Sequence, residues 1–203
     1  MPATRHLYLA RHANADPTTG DLTDTGRRQA PRLGHRLSAL TPRALHHGPL
    51  PRATQTAHLV ADHLPGIHPH PTPEAGDYIP HIPTRQELPP EHADRILDFV
   101  HAHPATERDP ALAHRALSRF TGPTDGDHDV HDIVITHAYL VGRIVCAALG
   151  APAWTWTALA PANAALTVIR YAPDRAPALL TFNDVSHLDP DLRWTGFPPH
   201  LTP

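Results

Sequence analysis

Two apolar runs in this chain stop at a histidine, each just before a helical pattern. Leu7-Tyr8-Leu9-Ala10 leads into Arg11 and His12, and Asp132-Ile133-Val134-Ile135-Thr136 leads into His137, followed by an apolar helical stretch over 140–149. Alternation from Arg5 that turns wholly apolar reads as a buried strand, and strands interleaved with helical patterns read as a mostly parallel sheet with crossover helices. In an open sheet of that kind, ligands bind beyond the carboxyl ends of the strands. A permanently charged guanidinium beside an imidazole at that place points to an anion site of phosphate type, with a nucleophile in it.

The Arg-His dipeptide itself carries little. With 17 basic residues, all arginine, and 19 histidines in 203 positions, chance supplies roughly 1.6 such pairs. The chain has two, and the other, Arg5-His6, sits at the strand entry and serves as an internal control. The absence of lysine, the 25 prolines and many of the histidines fit the drift of a GC-rich genome. Position along the strand is therefore the signal, not abundance.

Length allows one α/β domain over 1–203 with a sizeable core, and is short for two. The net charge of -3 and the scattered arginines leave neither a nucleic-acid footprint nor a polybasic membrane patch. No run approaches the ~18 apolar residues of a membrane span. The first residues enter a strand without a basic region and apolar stretch, which argues against a secretory signal. Cys146, the single cysteine, lies in an apolar helical pattern. It reads as core and fits a reducing, cytoplasmic setting.

Along the chain, Thr23 is the expected N-cap of a first helix with Leu33, Leu37 and Leu40 on one face. Pro31 is expected near its start, where proline costs least. A second strand is expected over 43–47, followed by a helix over 52–64 that puts Arg52 in its first turn, where free backbone N-H groups already favour anions. A third, edge-like strand falls at 68–73. Segment 74–128 loses periodicity and reads as a cap over the sheet, with helical stretches at 91–101 and 109–120. Two last strands are expected at 163–171 and 178–182, with the proline-rich tail after Asp189 as surface coil.

The stretches Leu7 to Asn14, Leu22-Thr23-Asp24-Thr25-Gly26-Arg27-Arg28-Gln29-Ala30, Pro51-Arg52-Ala53-Thr54-Gln55-Thr56-Ala57 and Val134-Ile135-Thr136-His137-Ala138, in that order and spacing, resemble the histidine phosphatase superfamily, the phosphoglycerate-mutase-like branch of α/β proteins. The resemblance implies a three-layer sandwich, a mostly parallel central sheet with helices on both faces and a small cap insertion at about 74–128. It implies a phosphomonoester hydrolase that needs no metal or other cofactor and acts on a small phosphorylated metabolite. His12 would take the phosphoryl group, while Arg11, Asn14, Arg52 and His137 would bind it. The family takes its proton donor from the cap, which makes Asp77 the first candidate, Glu74 the second and Glu87 the third. Ala13 and Ala138 depart from the pattern, since the family usually has glycine after each histidine, and Asn14 replaces a commonly acidic or amide position.

Three other readings stay open. A phosphoglycerate-mutase-type phosphotransferase would need a larger lid than 74–128 offers. A metal-binding protein is suggested by His46-His47, His68-x-His70, His101-x-His103 and His128-x-x-His131, but pairs of ligands do not close a site. A silent phosphate-ligand binder would keep the same residues without turnover. Tyr78, Ile79, Ile82 and Phe99 either line an apolar wall or form the cap's own core, and Trp154 and Trp156 are equally ambiguous. A homodimer is expected only because two-fold assemblies are common.

Overall fold

A computed structural model describes residues 2–202. The strands are β1 (Pro2–Ala3), β2 (Arg5–Arg11), β3 (Ala44–His47), β4 (Pro69–Pro71), β5 (Thr124–Asp125), β6 (Val130–Thr136), β7 (Leu166–Tyr171) and β8 (Ala178–Asp184). The helices are α1 (Asp24–Leu37), α2 (Pro51–Ala61), α3 (Pro90–Ala102), α4 (Pro110–Phe120) and α5 (Ala138–Leu149). Six strands form one sheet in the order β4-β3-β6-β2-β7-β8. The first four run parallel; β7 is antiparallel to β2, and β8 to β7. The small strands β1 and β5 pair antiparallel with each other, β5 lying in 122–127, which the sequence offers only as a turn cluster.

Side chains alternate across the sheet and sort the core into two layers. Ala10, Ile133, Ile135, Leu166 and Val168 face α1 and α2 through Leu33, Leu37, Ala53, Ala57 and Val60. Leu7, Leu9, Val134, Ile169 and Tyr171 face the opposite layer, α4 and α5, through Ala113, Ala116, Leu140 and Ile144. Each large apolar side chain buried in these layers is worth about 1.5–3 kcal/mol. The strand ends at the centre of the sheet are therefore held firmly.

The strand order reverses around β2. The chain leaves β2 through α1 to β3 and through α2 to β4, and β6 later inserts between β2 and β3. Such a reversal opens a crevice at the carboxyl edge of the sheet. Arg11 pairs with Thr136 in the β2–β6 ladder, so the residues that follow, His12 and His137, leave the sheet as neighbours.

Two expectations need correction. Pro31 lies in the interior of α1, not at its start, because the Thr23 hydroxyl caps the helix by accepting from Gly26 N at 3.1 Å and so sets its first turn. The tail after Asp189 is not surface coil: Leu192 is buried, and the backbone carbonyls of Leu192 and Gly196 accept hydrogen bonds from Gln29 and Arg11. Among the described residues, no helix is long and apolar enough to cross a membrane.

Candidate active site

A cavity of about 400 Å³ opens at the carboxyl edge of β2 and β6, lined by Arg11, His12, Arg52, Asp77, His137 and Tyr139 among others. Its floor is built from backbone upward. His12 N donates to Thr136 O at 2.8 Å, continuing the ladder one residue past the strand. Ala13 N donates to the Thr56 hydroxyl at 3.0 Å, and that hydroxyl donates to Arg52 O at 2.6 Å. The first turn of α2, with Arg52 in it, is thereby fastened to the turn that follows His12.

The two imidazoles lie with ring centroids 4.9 Å apart. His12 Nδ1 is 2.8 Å from Ala13 O. A carbonyl only accepts, so that nitrogen carries the proton and Nε2 keeps a free lone pair. Burial, then His137 and Arg11, push the His12 imidazole well below its ordinary value. It is neutral at neutral pH, the state a nucleophile needs. His137 is also pushed down, chiefly by burial and against the pull of Asp77. Both of its ring nitrogens are buried without a hydrogen-bond partner among the described residues. Gly48 makes room for that ring, since a Cβ there would sit 2.5 Å from Ala75 O and 3.0 Å from His137 Nε2.

Arg11 donates through Nη1 to Pro161 O at 3.0 Å and to Gly196 O at 2.7 Å, while its buried Nε has no partner among the described residues. Arg52 reaches across to Asp77, with Nη2 2.6 Å from Oδ2. The same Oδ2 is 3.3 Å from His137 Nδ1, an ion-pair distance without hydrogen-bond alignment. Burial alone would raise the Asp77 carboxyl, but His137 and Arg52 hold it well below the usual carboxylate range. Asp77 is therefore a carboxylate, and it occupies the arginine an incoming anion would need.

Five of the six site residues expected from the sequence, Arg11, His12, Arg52, Asp77 and His137, line one cavity. Asn14 is not among its lining residues. Its Oδ1 accepts from the Thr23 hydroxyl at 2.6 Å and its N-H donates to Gln29, so it joins α1 to the turn after His12. The lower-ranked acids are elsewhere: Glu74 faces Arg115 at 3.9 Å, and Glu87 closes a capping box with Thr84. Ala13 and Ala138 have no left-handed backbone, so replacing glycine there stores no strain.

Sequence reasoning missed Glu107, His103 and Tyr139 on the cavity wall. Glu107 ends a three-residue 3-10 turn, and Ile79 N donates to its carbonyl at 2.7 Å. Neither a period nor a motif marks such a residue. Of the four ambiguous apolar residues, Tyr78 and Ile79 line the wall. Ile82 and Phe99 are exposed, although the Phe99 ring contacts those of Tyr139 and Trp156. Trp156 is buried with Ile79, Val100 and Cys146, and Trp154 packs on the Leu88, Ala93 and Ile96 cluster. The paired histidines form no metal-binding cluster with other ligating side chains among the described residues.

Comparison with known proteins gives this geometry relatives. The serine/threonine-protein phosphatase PGAM5, mitochondrial, of Homo sapiens is 30% identical over 201 residues, covering 93% of this chain and 65% of that protein. The protein of the same name from Caenorhabditis briggsae is 27% identical over 196 residues, 93% of this chain and 66% of its own. The chain thus spans slightly under two thirds of the length of these curated relatives. A phosphoserine phosphatase variant of Entamoeba histolytica, solved with phosphoserine, has a TM-score of 0.62 at 16% identity, covering 91% of this chain and all of that one. Phosphoglycerate mutase of Plasmodium falciparum has a TM-score of 0.58 at 21% identity, with 92% and 95% covered. At those identities the likeness to solved structures is one of fold. A model of the histidine phosphatase superfamily, branch 1, matches residues 7–185, and the chain belongs to that family.

Proposed function

We propose that this protein hydrolyses phosphomonoesters through a phosphohistidine formed on His12. The carrying observation is the His12 Nδ1 contact to Ala13 O at 2.8 Å, which fixes the tautomer with Nε2 free beside Arg11, Arg52 and His137. The phosphate dianion displaces Asp77 from Arg52 and takes up the unpartnered donors of Arg11 and His137. Nε2 attacks phosphorus, the bond from phosphorus to the ester oxygen breaks, and that oxygen leaves with a proton from Asp77. Water then attacks the phosphohistidine, returning a proton to Asp77 and releasing phosphate.

Asp77 is ionised while it is paired with Arg52, so it acts as an acid only once substrate takes that arginine. The dianion removes Arg52 from it and sets a negative charge beside it, and both changes raise a carboxyl's pKa. The cavity volume suits a small phosphorylated metabolite. A second reading, a phosphoserine or phosphothreonine side chain, draws on the relatives, which are serine/threonine-protein phosphatases. Both share the same reacting groups.

The test is p-nitrophenyl phosphate hydrolysis between about pH 5 and 8 with EDTA present. Turnover is expected in wild type and lost in His12→Ala, with a plateau that extends below the ordinary histidine pKa. The sign follows from His12: a lowered value keeps the imidazole neutral to lower pH, so the acid limb of kcat/KM moves down. Turnover surviving in His12→Ala removes His12 from the mechanism. Positional transfer of phosphate between the hydroxyls of a glycerate faster than its release makes the protein a mutase instead.

A further inference from the structure

The stretch Leu22 to Ala30 supplies no residue to the cavity lining, yet its Gln29 is completely buried. Gln29 Oε1 accepts from Asn14 N at 2.7 Å, and Nε2 donates to Leu192 O at 2.7 Å and to Thr195 Oγ1 at 2.8 Å. The Thr195 hydroxyl donates to Asn163 Oδ1 at 3.3 Å, and Asn163 Nδ2 donates to His12 O at 3.0 Å. Asn163 N also donates to Thr195 O at 2.9 Å. These bonds close a ring around the turn His12-Ala13-Asn14, beginning at its last N-H and ending at its first carbonyl.

The direction of every bond in the ring is fixed. A backbone N-H only donates and a carbonyl only accepts, which sets both amide orientations and leaves the Thr195 proton no role but to reach Asn163. The next residue carries the ring to the guanidinium. Gly196 O is the 2.7 Å acceptor of Arg11 Nη1. A Cβ on Gly196 would lie 2.2 Å from Asn163 Oδ1 and 2.9 Å from both Arg11 Nη atoms, on a backbone at φ +65°. The tail therefore approaches the site from behind as closely as only glycine permits. Two exposed ion pairs, Arg28–Asp191 and Arg32–Asp189, both at 2.9 Å, lay the same segment along α1.

We propose that Gln29, Asn163 and Thr195 are positioning residues which, with the Gly196 carbonyl, set the His12 turn and the Arg11 guanidinium for the reaction. The proposal rests on the phosphohistidine reading. None of the three touches the phosphate; they act through His12 O, Asn14 N and Arg11. Thr195 is the informative position, because valine keeps its shape and deletes both side-chain bonds, whereas serine keeps the hydroxyl.

The experiment compares wild type, Thr195→Val and Thr195→Ser on p-nitrophenyl phosphate, well below the thermal midpoint of each. Thr195→Val is expected to lose about tenfold or more in kcat/KM, since small misplacements of reacting groups cost that much, and Thr195→Ser to retain most of it. A purely structural role would lower the midpoint of Thr195→Val and leave its kcat/KM at the wild-type value, which overturns the proposal. Equal losses in the valine and serine variants also overturn it, because the hydroxyl is then not what matters. Should Thr195→Val not fold, Thr195→Ala takes its place under the same criteria. Should wild type release no p-nitrophenol, the functional reading fails. Calorimetric titration with inorganic phosphate then decides the positioning, with weaker binding in the valine than in the serine variant sustaining it and equal binding overturning it.

Discussion

The floor and the rim of the cavity are built differently. The floor side chains Arg11, His12, Arg52 and His137 leave β2, α2 and the end of β6, elements locked by a seven-residue parallel ladder and two buried apolar layers. The rim comes from segment 74–109, where Asp77 and Glu107 follow or end three-residue 3-10 turns. It is tied down by a few bonds: Thr136 Oγ1 to Ala75 O at 2.8 Å, Tyr78 OH to Glu74 O at 2.8 Å, and Ile79 N to Glu107 O at 2.7 Å. Rigid positioning is what the phosphoryl centre needs, whereas selectivity for the rest of a substrate tolerates a wall that varies.

The largest effect that separates the two regions is expected at Asp77, the rim residue that reaches the floor. In Asp77→Asn the acid is gone, and general-acid catalysis contributes about 10²–10⁴-fold. An alkyl phosphate, whose leaving group needs the proton, should lose turnover in that range. p-Nitrophenyl phosphate, whose leaving group departs without help, should lose far less. Inorganic phosphate should bind more tightly to Asp77→Asn, because no carboxylate competes for Arg52 at 2.6 Å. Equal losses on both esters would show that Asp77 positions Arg52 and donates no proton.

Arg52→Ala attacks the floor itself and is expected to cost less than the loss of the acid on an alkyl ester. A hydrogen bond to a charged group is worth about 1.5–3 kcal/mol, so kcat/KM should fall about ten- to hundredfold on every substrate, whatever its leaving group. The fold should survive, since among the described residues the Arg52 side chain hydrogen-bonds to Asp77 alone and the α2 turn is held through the Arg52 backbone carbonyl. A loss that tracked leaving-group basicity would instead place Arg52 in the proton path.

The same division decides what was legible in the sequence. His12 and His137 could be read because a period-two apolar run announces a strand and the residue after it must stand at the sheet edge. Arg52 followed from the Gly48-Pro49-Leu50-Pro51 turn and the helix start behind it. Asp77 came from family resemblance, and its pairing with Arg52 did not, because no local rule joins residues from a loop and a helix across a crevice. The tail was misread for a related reason. A proline-rich, aperiodic segment looks like coil, and only tertiary structure shows the Gly196 carbonyl on Arg11 and Leu192 and Thr195 around Gln29. Asn14 was assigned to phosphate from its place after the Arg-His pair, whereas its backbone and Oδ1 hold α1.

Glu107 offers the smallest and most selective test of the rim. Its side chain is exposed and makes no ion pair among the described residues, and it lines the same cavity as Asp77. With a phosphate dianion on Arg11 and Arg52, both floor arginines face that dianion and Asp77 holds the proton it will donate, so a second acidic group on the substrate meets Glu107 on the wall. Repulsion at an exposed position is weak, about 0.2–1 kcal/mol by analogy with exposed pairs, and salt screens it over about 8–10 Å. Glu107→Gln should therefore raise kcat/KM for 3-phosphoglycerate by up to about fivefold relative to glycerol phosphate at low ionic strength, and the gain should vanish as salt is added. The p-nitrophenyl phosphate rate should stay at the wild-type value throughout. A uniform change on all three esters would mean that Glu107 supports the wall through Ile79 and does not read charge. No change on any would leave selectivity to Tyr78, Ile79, His103 and Tyr139, which present rings and one branched chain where Glu107 presents its carboxylate.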